Sequence, residues 1–123
     1  MIDSVRLSEK GKGQLIVLRR RTGIQNWNVL CRWAFCLSLR EKSEPAPEDI
    51  PTDSNVEMTW KTFTGGLDDV YMALLLSRAE SQKIDLDKSH VNRYFRLHLH
   101  RGISYLFGNP KLQSIESLVR LAV

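Results

Sequence analysis

The chain has 123 residues, 42% of them hydrophobic and 26% charged, with a net charge of +4. That length suits one compact domain with a modest core, and the composition is that of a folded globular protein. No apolar run approaches the roughly 20 residues that a membrane-spanning helix needs, and Met1 to Lys10 mixes Asp3, Arg6, Glu9 and Lys10 with apolar residues, unlike a signal peptide. A cytoplasmic protein with no membrane contact is expected.

Val5-Arg6-Leu7 alternates apolar and polar side chains and predicts a very short strand. Ser8 is suited to cap a helix over Glu9 to Thr22, in which Leu15, Leu18 and Thr22 recur at helical spacing. Gly23 stops it, as glycine does in the left-handed position after a helix. Arg19, Arg20 and Arg21 fall in the last turn, where the helix dipole favours cations.

Asn26 is expected to cap a second helix reaching Arg40. Leu30, Ala34 and Leu37 are flanked there by Trp27, Cys31, Trp33 and Phe35, so the helix is apolar on more than one face. Such a helix is central, or shared with another subunit. Residues 41–55 form an acidic connection, and Pro45, Pro47 and Pro51 forbid helix there.

Val56 to Phe63 reads as a β segment with Val56, Met58 and Trp60 on one face, broken by Gly65-Gly66. A third helix is expected over Leu67 to Lys83, with Val70, Tyr71, Leu74 and Leu75 as its main buried face. A fourth spans Asp87 to Phe107 and is stopped by Gly108-Asn109-Pro110. An amphipathic segment from Ser114 to Val123 closes the chain. The predicted fold is mainly α in a single domain over 1–123. Residues 1–40 form a ribbon-helix-helix-like half, 41–55 the acidic connection, and 56–123 a short β segment with C-terminal helices.

Charge is unevenly distributed. Residues 1–40 hold eight basic and two acidic side chains, residues 41–69 two basic and eight acidic, and residues 70–123 eight basic and four acidic. A polarised surface of this kind suits a polyanion on one side and a protein partner on the other. The candidate DNA-binding set is Arg6, Lys10, Lys12, Arg19, Arg20 and Arg21. Arginines offer bidentate forks to phosphate oxygens and lysines offer point charges. The bland reading of the same residues is a solvated helix face, but the scarcity of Glu and Asp among them favours nucleic acid.

Strand, helix, Thr-Gly turn and helix in that order resemble the ribbon-helix-helix layout of small dimeric DNA binders, which would turn Arg6 towards the major groove. One basic side chain on the strand is little for reading a base sequence.

Cys31 and Cys36 are five apart on one helix, so they cannot bridge each other there, and no second pair completes a zinc site. Both are expected to be buried, reduced thiols. His98 and His100 are two apart and point to different sides of a helix, which argues for structural or phosphate-contacting roles rather than a metal site. No nucleophile motif, Walker loop or dinucleotide fingerprint occurs. No enzyme, cofactor or metal is expected.

Five stretches carry a closer resemblance: Ile2-Asp3-Ser4-Val5-Arg6-Leu7-Ser8, Arg21-Thr22-Gly23-Ile24-Gln25, the block from Trp27 to Cys36, Asn55-Val56-Glu57-Met58-Thr59-Trp60, and the block from Phe95 to Ile103 with its His98-Leu99-His100-Arg101-Gly102 core. Together they resemble DndE, the small subunit of the bacterial DNA phosphorothioation system, over essentially the whole chain. The resemblance implies a helical protein that assembles as a homotetramer and binds double-stranded DNA, preferably nicked, through surface lysines and arginines. It also implies companions: a cysteine desulfurase, an iron-sulfur sulfurtransferase-like subunit and an ATPase subunit. Gly23 matches a glycine-bearing turn that the resemblance associates with subunit packing. The competing readings are a ribbon-helix-helix transcriptional regulator, a DNA-nicking enzyme and a purely structural adaptor.

Overall fold

The computed structural model describes residues 2–122; Val123, the end of the predicted last segment, lies outside them. Strand β1 (Ser4–Arg6) leads into α1 (Glu9–Thr22) and α2 (Trp27–Arg40). After the connection come β2 (Glu57–Thr59), α3 (Trp60–Thr64), α4 (Asp68–Ser81), α5 (Lys88–Gly108) and α6 (Ile115–Arg120).

Local capping fixes most of these bounds. The Ser8 hydroxyl accepts the Gly11 N–H at 3.0 Å, and Gly23, at φ 77°, sends its N–H back to Arg19 O. Asn26 occupies the cap position of α2 in extended conformation, without a capping hydrogen bond from its side chain. Asp87 caps α5 by accepting the His90 N–H.

The predicted β segment over Val56 to Phe63 is shorter than expected. Only Glu57–Thr59 is strand, and Trp60–Thr64 is helix. Thr59 causes the switch, because its hydroxyl accepts the Thr62 N–H at 3.1 Å and opens a helical turn. Strand β2 pairs antiparallel with β1, Val5 facing Met58 and Arg6 facing Glu57. The strand that a ribbon-helix-helix dimer pairs between two chains is therefore paired here within its own.

Helices α2 and α5 form the centre, and α1, α3 and α4 pack around them. Their crossing is set by Gly102: a Cβ built there would lie 1.7 Å from the Ala34 carbonyl oxygen, so only glycine lets the two backbones meet. Phe35, Phe63, Phe95 and Trp60 fill the space beside this crossing with ring centroids 5.1–5.8 Å apart. Edge-to-face contacts dominate, the geometry that aromatic quadrupoles favour.

On α4 the buried face differs from the expected one. Leu75 and Ala79 are buried and Tyr71 half-buried, whereas Val70 and Leu74 are exposed. The helix meets the core through Leu75 and Ala79, flanked by half-buried Tyr71, Met72 and Leu76, whereas Val70, Ala73 and Leu74 face outward.

Candidate nucleic-acid interface

Helix α1 lies on α5 through Gly11, Leu15, Leu18 and Thr22, which repeat at three- and four-residue spacing and are all buried. The remaining arc of the helix carries the cations. At 100° per residue, Lys10 and Arg21 fall along one flank of the buried line, Lys12 and Arg19 along the other, and Arg20 on the side facing away from the core.

Each sequence-predicted cation has a distinct setting. Arg6 projects from β1 and is ion-paired with Glu57 at 2.6 Å across the sheet. Lys10 is exposed at the rim of a cavity of about 400 Å³ that it shares with Glu48 and Asp53. Lys12 donates to the Asn55 side-chain oxygen at 2.7 Å. The Arg19 guanidinium lies 3.5 Å over the Trp27 ring, and its Nε is buried with no hydrogen-bond partner among the described residues. Arg21 donates to the Phe107 carbonyl at 2.9 Å, with its guanidinium 5.4 Å from the Phe107 ring. Arg20 is exposed and makes no side-chain hydrogen bond or ion pair among the described residues. Of the six, only Arg6 has a carboxylate partner among the described residues. Gly23 stands next to this end of α1, with open space where a side chain would be.

Trp27 was not among the predicted site residues, yet it organises the arginine end. Stacking on its indole places the Arg19 charge without neutralising it, a contact worth about 0.5–1 kcal/mol at exposed sites. The signal in the sequence was an aromatic residue four positions beyond the Gly23 turn, which returns α2 beside the end of α1.

The His98 to Gly102 block is structural. The His100 Nδ1 lies 2.9 Å from Arg96 O, and its Nε2 accepts the Ser8 N–H at 3.1 Å. Arg101 donates Nε to Ser38 Oγ and Nη2 to Ser38 O, each at 2.8 Å, and Nη1 to Ser43 O. The Ser38 hydroxyl proton is left for His98 Nδ1 at 2.8 Å. Arg78 of α4 donates to the Leu39 and Glu41 carbonyls. Two arginines thus satisfy carbonyls at the α2 C-terminus, where backbone acceptors lack helical partners and the dipole is negative. Burial holds the His98 pKa down to about 3, and burial likewise lowers that of His100.

Cys31 is buried, as expected, and its thiol is pushed up to about 12 by burial. Cys36 is exposed, contrary to expectation, because α2 keeps one side uncovered. Its pKa is also raised, chiefly by desolvation, so it is a protonated thiol rather than an activated nucleophile. Among the described residues, Asp85, Asp87 and His90 form a group with ligand atoms within 4.8 Å of one another. Asp87 is already engaged there, with one oxygen on the His90 N–H and the other 2.7 Å from His90 Nδ1.

Among the described residues, no helix is long and apolar enough to cross a membrane. A family model for the DNA sulphur modification protein DndE matches residues 4–114. The fold is similar to the crystal structure of DndE from Escherichia coli B7A, involved in DNA phosphorothioation modification. That likeness has a TM-score of 0.73 at 22% identity, over 86% of this chain and 98% of that one. It is also similar to a glycine-to-lysine mutant of DndE, with a TM-score of 0.69 at 19% identity, over 89% of this chain and 100% of that one. No curated protein matches.

Proposed function

Because the chain belongs to the DndE family of DNA sulphur modification proteins, and so to the DNA phosphorothioation system, we propose that it grips the backbone of double-stranded DNA without itself catalysing a reaction. The observation that carries this reading is the basic arc of α1, exposed at Lys10 and Arg20 and half-buried at Lys12, Arg19 and Arg21. Arg19, Arg20 and Arg21 occupy successive positions at its end, none paired with a carboxylate among the described residues. Lys10 and Lys12 extend the positive charge along the helix. Arg6 has a smaller part, since Glu57 offsets its charge.

Cations on a convex helix meet phosphates and release counterions, which gives affinity without base recognition. A nick adds flexibility, so a nicked duplex bends more cheaply to meet such a surface. Several copies of the chain multiply these contacts. The uncluttered turn at Gly23 suits the approach of another subunit, and a homotetramer is the assembly we favour. Working in the cytoplasm beside the other subunits of the sulfur-modification machinery, the protein holds DNA while they carry out the sulfur chemistry. Intrachain pairing of β1 argues against a ribbon-helix-helix regulator. The positions of His98 and His100 in the core argue against their use in strand cleavage.

The test is a salt titration of binding to nicked, intact and unrelated-sequence duplexes, followed by fluorescence anisotropy. Affinity that falls steeply with salt, ignores sequence and is highest for nicked DNA is expected. A flat salt profile overturns the proposal.

A further inference from the structure

Helix α2 keeps one side uncovered, and three cavities of about 430, 340 and 240 Å³ meet there at Cys36. The first is walled by α4 through Leu74, Ser77 and Ser81. The second adds Tyr71, and the third reaches Leu106 and Leu121 on the opposite side. The floor is apolar, with Trp33 and Leu37 half-buried and Leu74 46% exposed. Outward along α4 the apolar line continues through Val70 and Leu67, 53% and 56% exposed, at the four- and three-residue spacing of a helix-pairing seam.

Among the described residues, the charged side chains that line the three cavities of this groove have one sign. Arg32, Arg40 and Arg78 are among its lining residues, and none of the residues lining the three cavities is Asp or Glu. Each arginine is anchored through a backbone carbonyl: Arg32 on Phe63 at 2.9 Å, Arg40 on Leu121, and Arg78 on Glu41 at 2.9 Å. Their guanidinium groups are thereby held at fixed places along an apolar trough, with N–H groups to spare. Free cations on a convex helix, like Arg20, suit a phosphate backbone. Anchored cations beside a trough suit carboxylates at set positions on an apolar ligand.

We infer that the α2–α4 groove is a docking site for an amphipathic helix of another protein, its apolar face seated on Trp33, Leu37 and Leu74 and its flanking Glu or Asp side chains paired with Arg32, Arg40 and Arg78. The site is independent of the DNA reading. Helices α1 and α4 each pack on α5 without extensive contact with one another, so a partner seated on α4 does not have to cover the basic residues of α1.

Cys36 supplies a reporter, since it is exposed at the junction of the cavities while Cys31 is buried. The full chain is titrated with a synthetic helix of about 18 residues, long enough to span roughly 27 Å, with leucines at three- and four-residue spacing flanked by glutamates. A second peptide carries lysines in place of the glutamates. The expected result is slowing of Cys36 modification by a thiol reagent, at least about fivefold, by the acidic peptide alone, with matching peptide anisotropy. Leu74→Glu, at an exposed position, should weaken that binding about tenfold without lowering the thermal midpoint, consistent with a desolvated contact facing a new like charge. Absence of protection, or equal protection by both peptides, overturns the inference. So does protection that rises with protein concentration alone, which would assign the groove to a second copy, or protection by duplex DNA in place of the acidic helix.

Discussion

The imidazole Nε2 of His100 accepts the backbone N–H of Ser8 at 3.1 Å, joining two residues 92 positions apart. Ser8 is also the cap of α1, so this bond attaches the basic helix to α5 at its first turn. With Nε2 as acceptor, the ring proton resides on Nδ1 and goes to the Arg96 carbonyl. Replacing His100 by Ala strands the Ser8 N–H in a buried setting, while the Arg96 carbonyl keeps its acceptor role within α5. Unfolding free energy should fall by about 1–3 kcal/mol, the usual cost of a buried unsatisfied donor or acceptor. A denaturant midpoint unchanged in His100→Ala would exclude this role.

The same burial gives stability a defined pH dependence. Both His98 and His100 have folded-state pKa values below the ordinary 6.5, that of His98 at about 3. The unfolded chain therefore binds more protons than the folded one once pH drops below about 6.5. Stability from keeping these rings neutral is complete above that value and is lost as pH falls towards the folded-state values. The neighbouring Arg101 and Arg78 add to the cost of charging His98. Thermal midpoints measured at pH 8, 6 and 5 should be level in the upper part of this range and decline in the lower. His98→Asn, with no ring to protonate, should decline less steeply.

Gly102 faces the Ala34 carbonyl so closely that any side chain would overlap backbone. A flexible neighbour can move aside, but the α2 backbone moves only with the whole helix. Gly102→Ala should cost at least about 3 kcal/mol, above the usual range for overpacking, and should lower soluble yield. Gly13→Ala is the control, because open space surrounds that position and alanine is the better helix former. A Gly102→Ala protein as stable as Gly13→Ala would contradict the proposed backbone contact.

Much of the fold was legible in the sequence, for reasons that particular residues explain. Helices α1 and α2 match their expected limits because Ser8, Gly23 and the proline-punctuated connection after Arg40 act locally. The β segment was overextended because Val56, Met58 and Trp60 alternate like a strand. The Thr59 cap that starts α3 is a competing signal of equal range. The outward face of α4 was hidden by a stripe too wide to reveal which line would touch the core. For the candidate interface, the sequence located the cations but not their partners. The Arg6–Glu57 pair depends on strand pairing across 51 residues, and the Arg19–Trp27 stack on the angle at which α2 returns. Such relations are tertiary, and no local period encodes them.

If DNA meets the basic arc of α1, then Arg20 and Arg6 should behave differently despite their shared charge. Arg20 has no carboxylate partner among the described residues, whereas Arg6 is compensated by Glu57. Arg20→Ala should weaken duplex binding and lower the slope of log affinity against log salt by about one. The neutral double substitution Arg6→Ala with Glu57→Ala should leave the slope nearly unchanged. Equal losses in the two proteins would place the contact on the strand as well as on the helix.

The acidic connection supplies the last test, because it lies against the other end of the same helix. Asp53 accepts the Glu9 N–H at 2.9 Å, Asn55 accepts from Lys12, and Glu48 shares a cavity rim with Lys10. Carboxylates at that distance from an approaching phosphate repel it within the Debye length, about 10 Å at 0.1 M salt. Glu48→Gln with Asp49→Asn removes two charges without touching the Asp53 contact or the Glu48 carbonyl near Arg93. Duplex affinity should rise roughly threefold or more at low ionic strength and converge on the parent value at high salt, where screening already removes the repulsion. Affinity unaltered at low salt would mean that DNA keeps to the arginine end of α1, beyond reach of the connection.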